Sequence, residues 1–337
     1  MSSLTDSYEL QQEAVEQICA SRDKIKRELS KVIVGQDEAI NQLLISLFSG
    51  GHCLLTGPPG LAKTLLVHSI SQIFRLKFRR IQFTPDLMPA DVVGSEVVEE
   101  SGGNRKLKFV KGPIFTNILL ADEINRTPPK TQSSLLEAME EKQVTAAGTT
   151  YPVAAPFFVL ATQNPIELEG TYPLPEAQLD RFMFNIMIDY LPEAEEIKVV
   201  TKTTGEPAKE ITQVVSGKEI LRYQELVKKI PANEEIVRYA VQLTGSTRPG
   251  EAKQDFINEW VRYGASLRAS QFMVLGGKVR ALLKGRYTVS TEDIQALAKP
   301  VLRHRILTNF HAESEGITPE DIVDRLLKAV PPPQSGL

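Results

Sequence analysis

The sequence is poor in the residues that build metal clusters and disulfide frameworks. Its 337 residues include only two cysteines, Cys19 and Cys53, and its four histidines do not occur at ligand spacing. Two isolated cysteines predict free thiols in a reducing compartment and argue against a cysteine-based metal site. Stability must then come from a hydrophobic core, for which a 42% hydrophobic content is sufficient.

An excess of positive charge and a long hydrophobic run are also missing. Lys and Arg number 39 against 42 Asp and Glu, which gives a formal net charge of -3 and argues against nucleic acid as a main partner. The longest nearly apolar stretch, Val153 to Ala161, contains Pro156 and is too short to span a bilayer. The first thirty residues carry acidic side chains and lack the apolar segment of a secretory signal. We therefore expect a soluble, cytoplasmic protein without membrane insertion.

Strands and helices alternate through the first half of the chain. Four apolar runs are predicted as buried strands: 52–56, 79–83, 117–121 and 157–162. The helical periods between them predict a mostly parallel sheet flanked by helices, and hence an α/β fold. Two segments interrupt the alternation, an insert at about 91–111 and a β-hairpin at about 144–156.

The pattern divides the chain into a core, a connection and a helical domain. The core is predicted to occupy residues 1–190, followed by a charged, proline-punctuated linker at 191–216. Residues 217–330 read almost entirely as helix and predict a small all-α domain, with one of its helices at 291–307. The tail, 331–337, is expected to be disordered.

A glycine- and proline-rich turn separates the first predicted strand from the helix after it. Its sequence is Gly57-Pro58-Pro59-Gly60-Leu61-Ala62-Lys63-Thr64. This closely matches the Walker A pattern, in which backbone N–H groups and a helix N-terminus cradle phosphates. We expect Lys63 to reach the β- and γ-phosphates of ATP, and Thr64 to place its hydroxyl on Mg²⁺. The general pattern has glycine at Ala62, whose Cβ disfavours a left-handed backbone.

A second motif ends the third predicted strand, where an apolar run leads into Asp122 and Glu123. This is the Walker B arrangement. Asp122 is expected to hold Mg²⁺, through the Thr64 hydroxyl or a bound water, and Glu123 to orient and polarise the attacking water. An acidic pair after a strand is by itself more often a solvated strand end. Together with the upstream Walker A segment it predicts an ATP-hydrolysing site.

Three further polar residues are candidates for the same chemistry. Asn164 follows another predicted strand and could bind the γ-phosphate or the water, although a turn-capping Asn before Pro165 is the simpler interpretation. Arg181 is of the residue type that best stabilises charge on phosphoryl oxygens, although many such arginines are only salt-bridged. Arg268 lies near the start of a predicted helix in the C-terminal domain and could reach a nucleotide held between the domains.

Taken together, these motifs resemble the MoxR family of AAA+ ATPases, over about residues 10–330. The resemblance rests on the Walker A segment with alanine before its lysine and on four further stretches: Asp122-Glu123-Ile124-Asn125-Arg126, Ala161-Thr162-Gln163-Asn164-Pro165, residues 169–182 and Ala265-Ser266-x-Arg268-Ala269. The family usually has proline where this chain has Leu267. The implied fold is a P-loop core followed by a small helical lid domain.

The resemblance implies roles that the residues alone do not. Val34 and Gly35 would lie near the adenine, Asn164 would be sensor 1, Arg181 the arginine finger and Arg268 sensor 2. An arginine finger acts on the neighbouring subunit's nucleotide, which implies a homo-oligomeric ring, taken here as a hexamer.

The resemblance also implies partners. Residues 91–111 and 144–156 would be the helix-2 insert and the pre-sensor-1 hairpin of a wider group that includes magnesium chelatase. MoxR proteins are described as chaperone-like remodellers of protein complexes, often acting with proteins that carry a von Willebrand factor A domain. The implied function is remodelling, assembly or activation of protein clients driven by ATP.

Other functions remain open at the level of the sequence. A nucleic-acid motor is disfavoured because the tip of the predicted hairpin, Thr145-Ala146-Ala147-Gly148-Thr149, carries no Lys or Arg. A magnesium-chelatase-like motor subunit would differ in partner rather than in chemistry. A nucleotide-gated platform with little turnover is disfavoured because Glu123, Asn164 and Arg181 complete a catalytic set.

Overall fold

Strands and helices alternate in the N-terminal part of the structure. The computed structural model describes residues 2–101, 104–146, 148–166, 170–205 and 210–333. The elements of the N-terminal part are α1 (Ser2–Leu29), α2 (Asp37–Ser49), β1 (Cys53–Thr56), α3 (Lys63–Ile73), β2 (Phe78–Gln82), α4 (Pro89–Val93), β3 (Gly94–Ser101), β4 (Asn104–Lys111), β5 (Ile118–Asp122), a 3-10 helix (Ile124–Arg126), α5 (Pro129–Glu141), β6 (Gln143–Ala146), β7 (Thr149–Pro152), β8 (Phe158–Gln163), α6 (Glu176–Leu179) and β9 (Phe184–Met187).

Helices dominate the C-terminal part. Its elements are α7 (Glu193–Thr204), α8 (Gly217–Lys229), α9 (Glu234–Gly245), α10 (Asp255–Trp260), β10 (Val261–Tyr263), α11 (Leu267–Leu283), α12 (Thr291–Leu302), β11 (Leu307–Thr308), α13 (Phe310–Ser314) and α14 (Pro319–Ala329).

Five strands form one parallel sheet in the order β2-β5-β8-β1-β9. Leu54 of β1 lies opposite Ala161 of β8 on one side and Asn185 of β9 on the other. Helices cover both faces, so the predicted α/β fold with a parallel sheet is confirmed. Because the strands run in the same direction, their carboxyl ends meet at one edge and their amino ends at the opposite edge. We call these the carboxyl edge, where Thr56 and Asp122 end their strands, and the amino edge, where Cys53 and Phe184 begin theirs.

Alternation along each strand gives the sheet two buried faces. On β5, Leu119 and Ala121 belong to one hydrophobic cluster, whereas Ile118 and Leu120 belong to the other. All four are fully buried. The short apolar run that predicted this strand therefore supplies both faces of the sheet, as is typical of parallel strands.

One of the two clusters continues into the C-terminal helices. It contains Leu43 of α2, Leu120 of β5 and Leu282 of α11. Helix α1 also lies against α11, where the Cys19 thiol is 3.2 Å from the carbonyl oxygen of Leu282. Both cysteines are free. The first helix and the helical part therefore fix each other in place through a shared core.

Two antiparallel hairpins lie outside the parallel sheet, β3 with β4 and β6 with β7. They contact each other through Phe109 and Tyr151, whose rings stack with centroids 4.4 Å apart. Beyond this contact, Val98 and Leu107 face each other across the first hairpin and are 63% and 67% exposed. The first hairpin therefore presents apolar side chains to solvent.

The predicted linker contains a helix that the sequence reasoning missed. Helix α7 begins after Pro192 and carries Glu193, Glu195 and Glu196 in its first turn, a proline and acidic start that suits a helix N-terminus. It buries no residue fully, so the hydrophobic signal is weak. Its position matters for the site described below.

The helix predicted at 291–307 ends early, at Leu302. A long-range contact ends the helix: the side chains of His304 and Arg305 bind the carbonyl oxygen of Phe182, just ahead of β9. Leu307 instead joins β11, which pairs with β10 inside the helical part. Residues 334–337 of the predicted disordered tail lie outside the described residues. Within the described ranges, no helix is both long enough and apolar enough to cross a membrane.

Candidate functional site

The parallel sheet brings the Walker A and Walker B segments together at the carboxyl edge. The loop from Gly57 follows β1, Asp122 ends β5 and Asn164 follows β8. β8 lies between β5 and β1 in the sheet, so these positions are neighbours despite more than a hundred residues of sequence separation. Ligands of open parallel sheets bind at this edge.

The glycines of the Walker A loop are required for different reasons. A Cβ on Gly57 would lie 2.1 Å from the carbonyl oxygen of Ile188, so no larger residue fits beneath the loop. Gly60 has a left-handed backbone with φ of 84° and open space around it. Ala62 is also left-handed, with φ of 56°, immediately before α3 begins at Lys63. For a residue with a Cβ this conformation costs about 1–2 kcal/mol.

Lys63 folds back over the loop and faces the two acids. Its Nζ donates to the carbonyl oxygen of Gly57 at 2.6 Å. Burial lowers the pKa of Lys63, and the nearby carboxylates of Asp122 and Glu123 oppose that shift. The ammonium therefore lies on the loop, close enough to the acidic pair to feel its charge. Thr64 follows it in the first turn of α3 and is half-buried.

The carboxylate of Asp122 has donors on both oxygens. Arg80 of β2 donates from Nε and Nη2 to Oδ2, at 2.9 and 2.7 Å. The hydroxyl of Thr162 donates to Oδ1 at 2.6 Å. A guanidinium thus neutralises this acid in the structure, a partner that the sequence reasoning did not identify.

Glu123 is held in a strained backbone conformation, with φ of 55°. Its Oε2 accepts from Gln82 Nε2 at 2.7 Å and from Arg126 Nη1 at 2.9 Å, and its backbone N–H donates to Thr162 Oγ1 at 2.8 Å. Strain of this kind clusters at functional sites. Arg80 Nη2 also donates to Gln82 Oε1 at 2.7 Å, so a continuous chain of hydrogen bonds joins the two acids.

Asn164 is 6% exposed at the same edge. Its Oδ1 accepts from the backbone N–H of Ile166 at 3.2 Å, which is the turn-capping contact expected of an Asn before Pro165. In this structure Asn164 therefore makes the turn-capping contact and no contact that would show a catalytic role. Its place beside the acidic pair leaves its proposed role as a phosphate or water contact open to test.

An apolar cavity of about 330 Å³ lies beside the Walker A loop. It is lined by the segment around Val34, by Gly60 to Ala62, and by Leu191 with one side of α7. Gly35 is left-handed with φ of 67°, and a Cβ there would lie 2.3 Å from the Glu195 carboxylate. The expectation for Val34 and Gly35 came from the family resemblance, and the structure places that segment at the cavity.

The α7 wall of this cavity was missed by the sequence reasoning. Val199, Val200 and Thr203 line it, although α7 was read as part of a charged linker. The available signal was the apolar Val199-Val200 pair within an otherwise charged stretch, after a proline that favours a helix start.

Arg181 and Arg268 lie elsewhere, at the amino edge. Both bind the carboxylate of Glu140 at the end of α5, each at 2.9 Å. Gly51 and His52, just ahead of β1, line the same small cavity. Arg181 is therefore separated from the Walker A loop of its own chain by the length of β1.

The other arginine, Arg268, was expected to be able to reach a nucleotide held between the domains. It lies near the start of α11, as predicted, but Glu140 and Asp180 hold its guanidinium at 2.9 and 3.4 Å. Both of these carboxylate partners lie at the amino edge. Among the described residues, no three His, Cys, Asp or Glu side chains come close enough to hold a metal ion by themselves.

Comparisons with known proteins agree with this geometry. Residues 52–184 match the ATPase family associated with various cellular activities (AAA), and residues 255–326 match the AAA lid domain. Chaperone MoxR1 of Mycobacterium tuberculosis (strain ATCC 25618 / H37Rv) is 41% identical over 308 residues, which cover 91% of this chain and 81% of the relative. The chain belongs to the MoxR family of AAA+ ATPases.

Other MoxR-family and structural relatives support that assignment. Protein MoxR of Methylorubrum extorquens is 29% identical over 330 residues, covering 92% of this chain and 94% of the relative. The crystal structure of a candidate ATPase from Cytophaga hutchinsonii superimposes with a TM-score of 0.90 at 41% identity, over 99% of this chain and all of that one. The AAA core and helical lid domain expected of a MoxR-family protein are thus both present.

Proposed function

We propose that this MoxR-family chain binds and hydrolyses Mg²⁺-ATP and uses the energy to remodel protein partners. The observation that carries the proposal is the meeting of Lys63, Asp122 and Glu123 at the carboxyl edge. The loop of Lys63 follows β1 and the two acids end β5, and only β8 lies between these parallel strands, so the three groups come to the same edge of the sheet. A phosphate-binding cation beside a metal-binding acid and a water-polarising acid is the minimum set for hydrolysis of a phosphoric anhydride.

The residues present fit a nucleotide. The apolar cavity of about 330 Å³ beside the loop suits a purine base. The open backbone at Gly60 leaves room for phosphates against the N-terminus of α3. Thr64 and Asp122 would hold Mg²⁺, which commonly uses one or two protein ligands together with phosphate oxygens and waters. The metal would supply charge neutralisation of the phosphates.

Each residue at this edge then has a defined task. Lys63 would exchange the Gly57 carbonyl for phosphate oxygens, which are stronger acceptors because they are charged. Glu123 would accept a proton from the attacking water after giving up Gln82 or Arg126. Asn164 would contact the γ-phosphate or the water after leaving the Ile166 N–H.

We further propose that Arg181 and Arg268 serve a neighbouring subunit. Both guanidinium groups are held at the amino edge, away from their own Walker A loop, and arginine best stabilises charge that spreads over phosphoryl oxygens. A head-to-tail ring would carry them to the carboxyl edge of the next chain. The family resemblance supports a hexamer as the ring size.

Protein clients are the proposed partners. The name of the Mycobacterium relative, a chaperone, supports this, as do Val98 and Leu107 exposed on the first hairpin. A protein with a von Willebrand factor A domain is a candidate partner on the strength of the family resemblance, and the cytoplasm is the proposed location. The sequence of the second hairpin's tip, without Lys or Arg, gives no support to a nucleic-acid track.

The test is Mg²⁺-dependent ATP hydrolysis measured against protein concentration, for the wild type, Glu123→Gln and a surface control, Glu225→Gln. Turnover should rise steeply with concentration in the wild type and the control, because assembly supplies Arg181. It should be lost in Glu123→Gln while ATP binding, followed with a fluorescent analogue, remains. A wild type that binds ATP without turnover at any protein concentration would favour the nucleotide-gated platform and would contradict ATP-driven remodelling.

A further inference from the structure

The backbone on both sides of Arg181 is held by one residue from the lid domain. Arg305 follows α12 and reaches the segment that leads into β9. Its Nη2 donates to the carbonyl oxygens of Asp180 and Phe182 at 2.7 and 2.6 Å. Its Nη1 donates to the carbonyl oxygen of Met183 at 3.4 Å. Three carbonyl oxygens within four consecutive residues therefore face the same guanidinium.

The remaining donors of Arg305 are also used. Nε donates to the Asp180 carboxylate at 2.8 Å, and Nη1 also donates to the carbonyl oxygen of Val301. A guanidinium has five N–H donors in a fixed planar fork. The five oxygen contacts use all five N–H groups, so no donor is left over for a ligand. Arg305 is thus committed to protein contacts and does not bind substrate.

Arg305 lies where such contacts are strong. It is 5% exposed, and its guanidinium lies 5.2 Å from the centre of the Phe272 ring of α11. Burial lowers the pKa of Arg305 to about 10, while hydrogen bonding to Asp180 opposes the shift. The side chain remains charged at neutral pH. Charge-assisted hydrogen bonds away from water hold geometry more firmly than neutral ones.

The contacts of Arg181 itself show why its backbone needs this support. Its side chain is 31% exposed and pairs with Glu140, a carboxylate to which Arg268 also binds. A guanidinium that must meet a phosphate on another chain has to leave that pair. Its backbone must then stay fixed while the side chain moves.

We propose that Arg305 is the positioning residue for the Arg181 finger. Through Arg305 the lid domain would fix the backbone that carries Arg181, and so the direction of its side chain. The inference rests on the proposed function, since a finger matters only if ATP is hydrolysed. The lid residue acts through the backbone of Asp180 to Met183, not on the nucleotide. Movement of the lid would therefore shift Arg181 in the neighbouring subunit's nucleotide site.

The first test is Arg305→Lys. Lysine keeps the charge but offers a point charge with three donors, so it cannot hold the Asp180 carboxylate and three carbonyl oxygens at once. Displacement of a reacting group by about 1 Å can lower turnover on the order of 100-fold. We expect such a loss in kcat with unchanged ATP affinity. Arg303→Lys is the matched control, because Arg303 is also largely buried but pairs with Glu320.

Mixing variants separates positioning from a merely structural role. Arg305→Lys keeps an intact Walker site and damages the finger, whereas Glu123→Gln keeps the finger and damages the site. Mixing Arg305→Lys with Glu123→Gln should restore some activity. In such rings the intact Arg181 of a Glu123→Gln subunit can reach the intact Walker site of an Arg305→Lys neighbour. Arg305→Lys mixed with Arg181→Ala should regain nothing, because both lack a functional finger. A variant that only misfolds would complement neither.

The outcomes are decisive in both directions. Complementation by Arg181→Ala, or full activity of Arg305→Lys alone, would overturn the positioning role. Should Arg305→Lys unfold, Asp180→Asn takes its place, since it weakens the Nε contact and leaves the carbonyl contacts; it should fall in the same complementation group. A wild type without ATPase activity would instead refute the proposed function, which distinguishes the two failures.

Discussion

The two edges of the sheet are built in different ways. At the carboxyl edge, the chemical groups come from short local motifs, and Ala62 and Glu123 hold strained backbone angles within them. At the amino edge, the groups come from distant parts of the chain, with Glu140, Arg181 and Arg268 meeting in one ion-pair cluster. Local motifs can be recognised one at a time, whereas the amino edge exists only after folding. The difference predicts that nucleotide binding depends on the carboxyl edge, whereas turnover also depends on the amino edge.

The largest expected effect separates these two tasks. Arg181→Ala should lower kcat about 1000-fold with ATP affinity unchanged, because a finger stabilises charge that develops only in the transition state. Lys63→Ala should instead weaken ATP binding roughly 10- to 100-fold, through loss of a charged hydrogen-bond donor to phosphate. Steady-state kinetics and equilibrium binding measure the two effects.

The control for this comparison is Arg238→Ala, an exposed arginine of α9 that pairs with Glu234. It should leave both kcat and affinity unchanged. Equal loss of ATP binding in Arg181→Ala and Lys63→Ala would show that nucleotide binding does not depend on the carboxyl edge alone.

Acid should weaken the amino edge through His52. Burial lowers the pKa of this residue to about 4, and its ring contacts the Val159 N–H and the Met139 carbonyl oxygen. The unfolded chain takes up the proton near the ordinary value of 6.5, so folded stability is complete above that pH and falls between pH 6.5 and 4. The expected loss is about 3 kcal/mol.

Urea unfolding at pH 7 and pH 4.5 measures this loss. His52→Gln should show a smaller loss than the wild type, whereas His311→Gln on the exposed α13 should match the wild type. Some acid sensitivity should remain in His52→Gln, because burial and the Arg305 charge hold the pKa of His304 well below its ordinary value. An identical loss of unfolding free energy in all three proteins would show that His52 does not cause the acid sensitivity.

The smallest effect concerns the partner of Asp122. Arg80 binds the Asp122 carboxylate that would hold Mg²⁺, so Arg80→Gln should lower the Mg²⁺ concentration needed for half-maximal binding of a fluorescent ATP analogue. A change of about 2- to 5-fold is expected, because Arg80 is half exposed and such pairs are weak. Arg79→Gln, also exposed on the same strand, is the control. A higher Mg²⁺ requirement in Arg80→Gln would mean that the guanidinium assists metal binding.

Much of the carboxyl edge could be predicted from the sequence because its signals are local. The loop from Gly57 to Thr64 and the pair at Asp122 and Glu123 each combine a buried strand with its polar end. The parallel sheet also followed, since short apolar runs alternated with helical periods. The strain at Ala62 was anticipated as a penalty for any left-handed backbone, and the structure does adopt that conformation.

The missing parts depend on contacts between distant residues. Helix α7 buries nothing fully, so no apolar period marked it as a wall of the cavity. The early end of α12 is set by the contacts of Arg305 with Phe182, which periodicity cannot show. The sharing of Glu140 by Arg181 and Arg268 likewise has no signature in their own neighbourhoods.

Strand β1 joins the two edges directly, with the Walker A loop at one end and the cavity of Arg181 at the other. Its four residues span about 13 Å. If Arg181 acts as the proposed finger, a chain built this way would not sense its own bound nucleotide through that arginine. In a head-to-tail ring, each subunit would report on the one beside it, always on the same side, so that information about hydrolysis would travel around the assembly in a single direction.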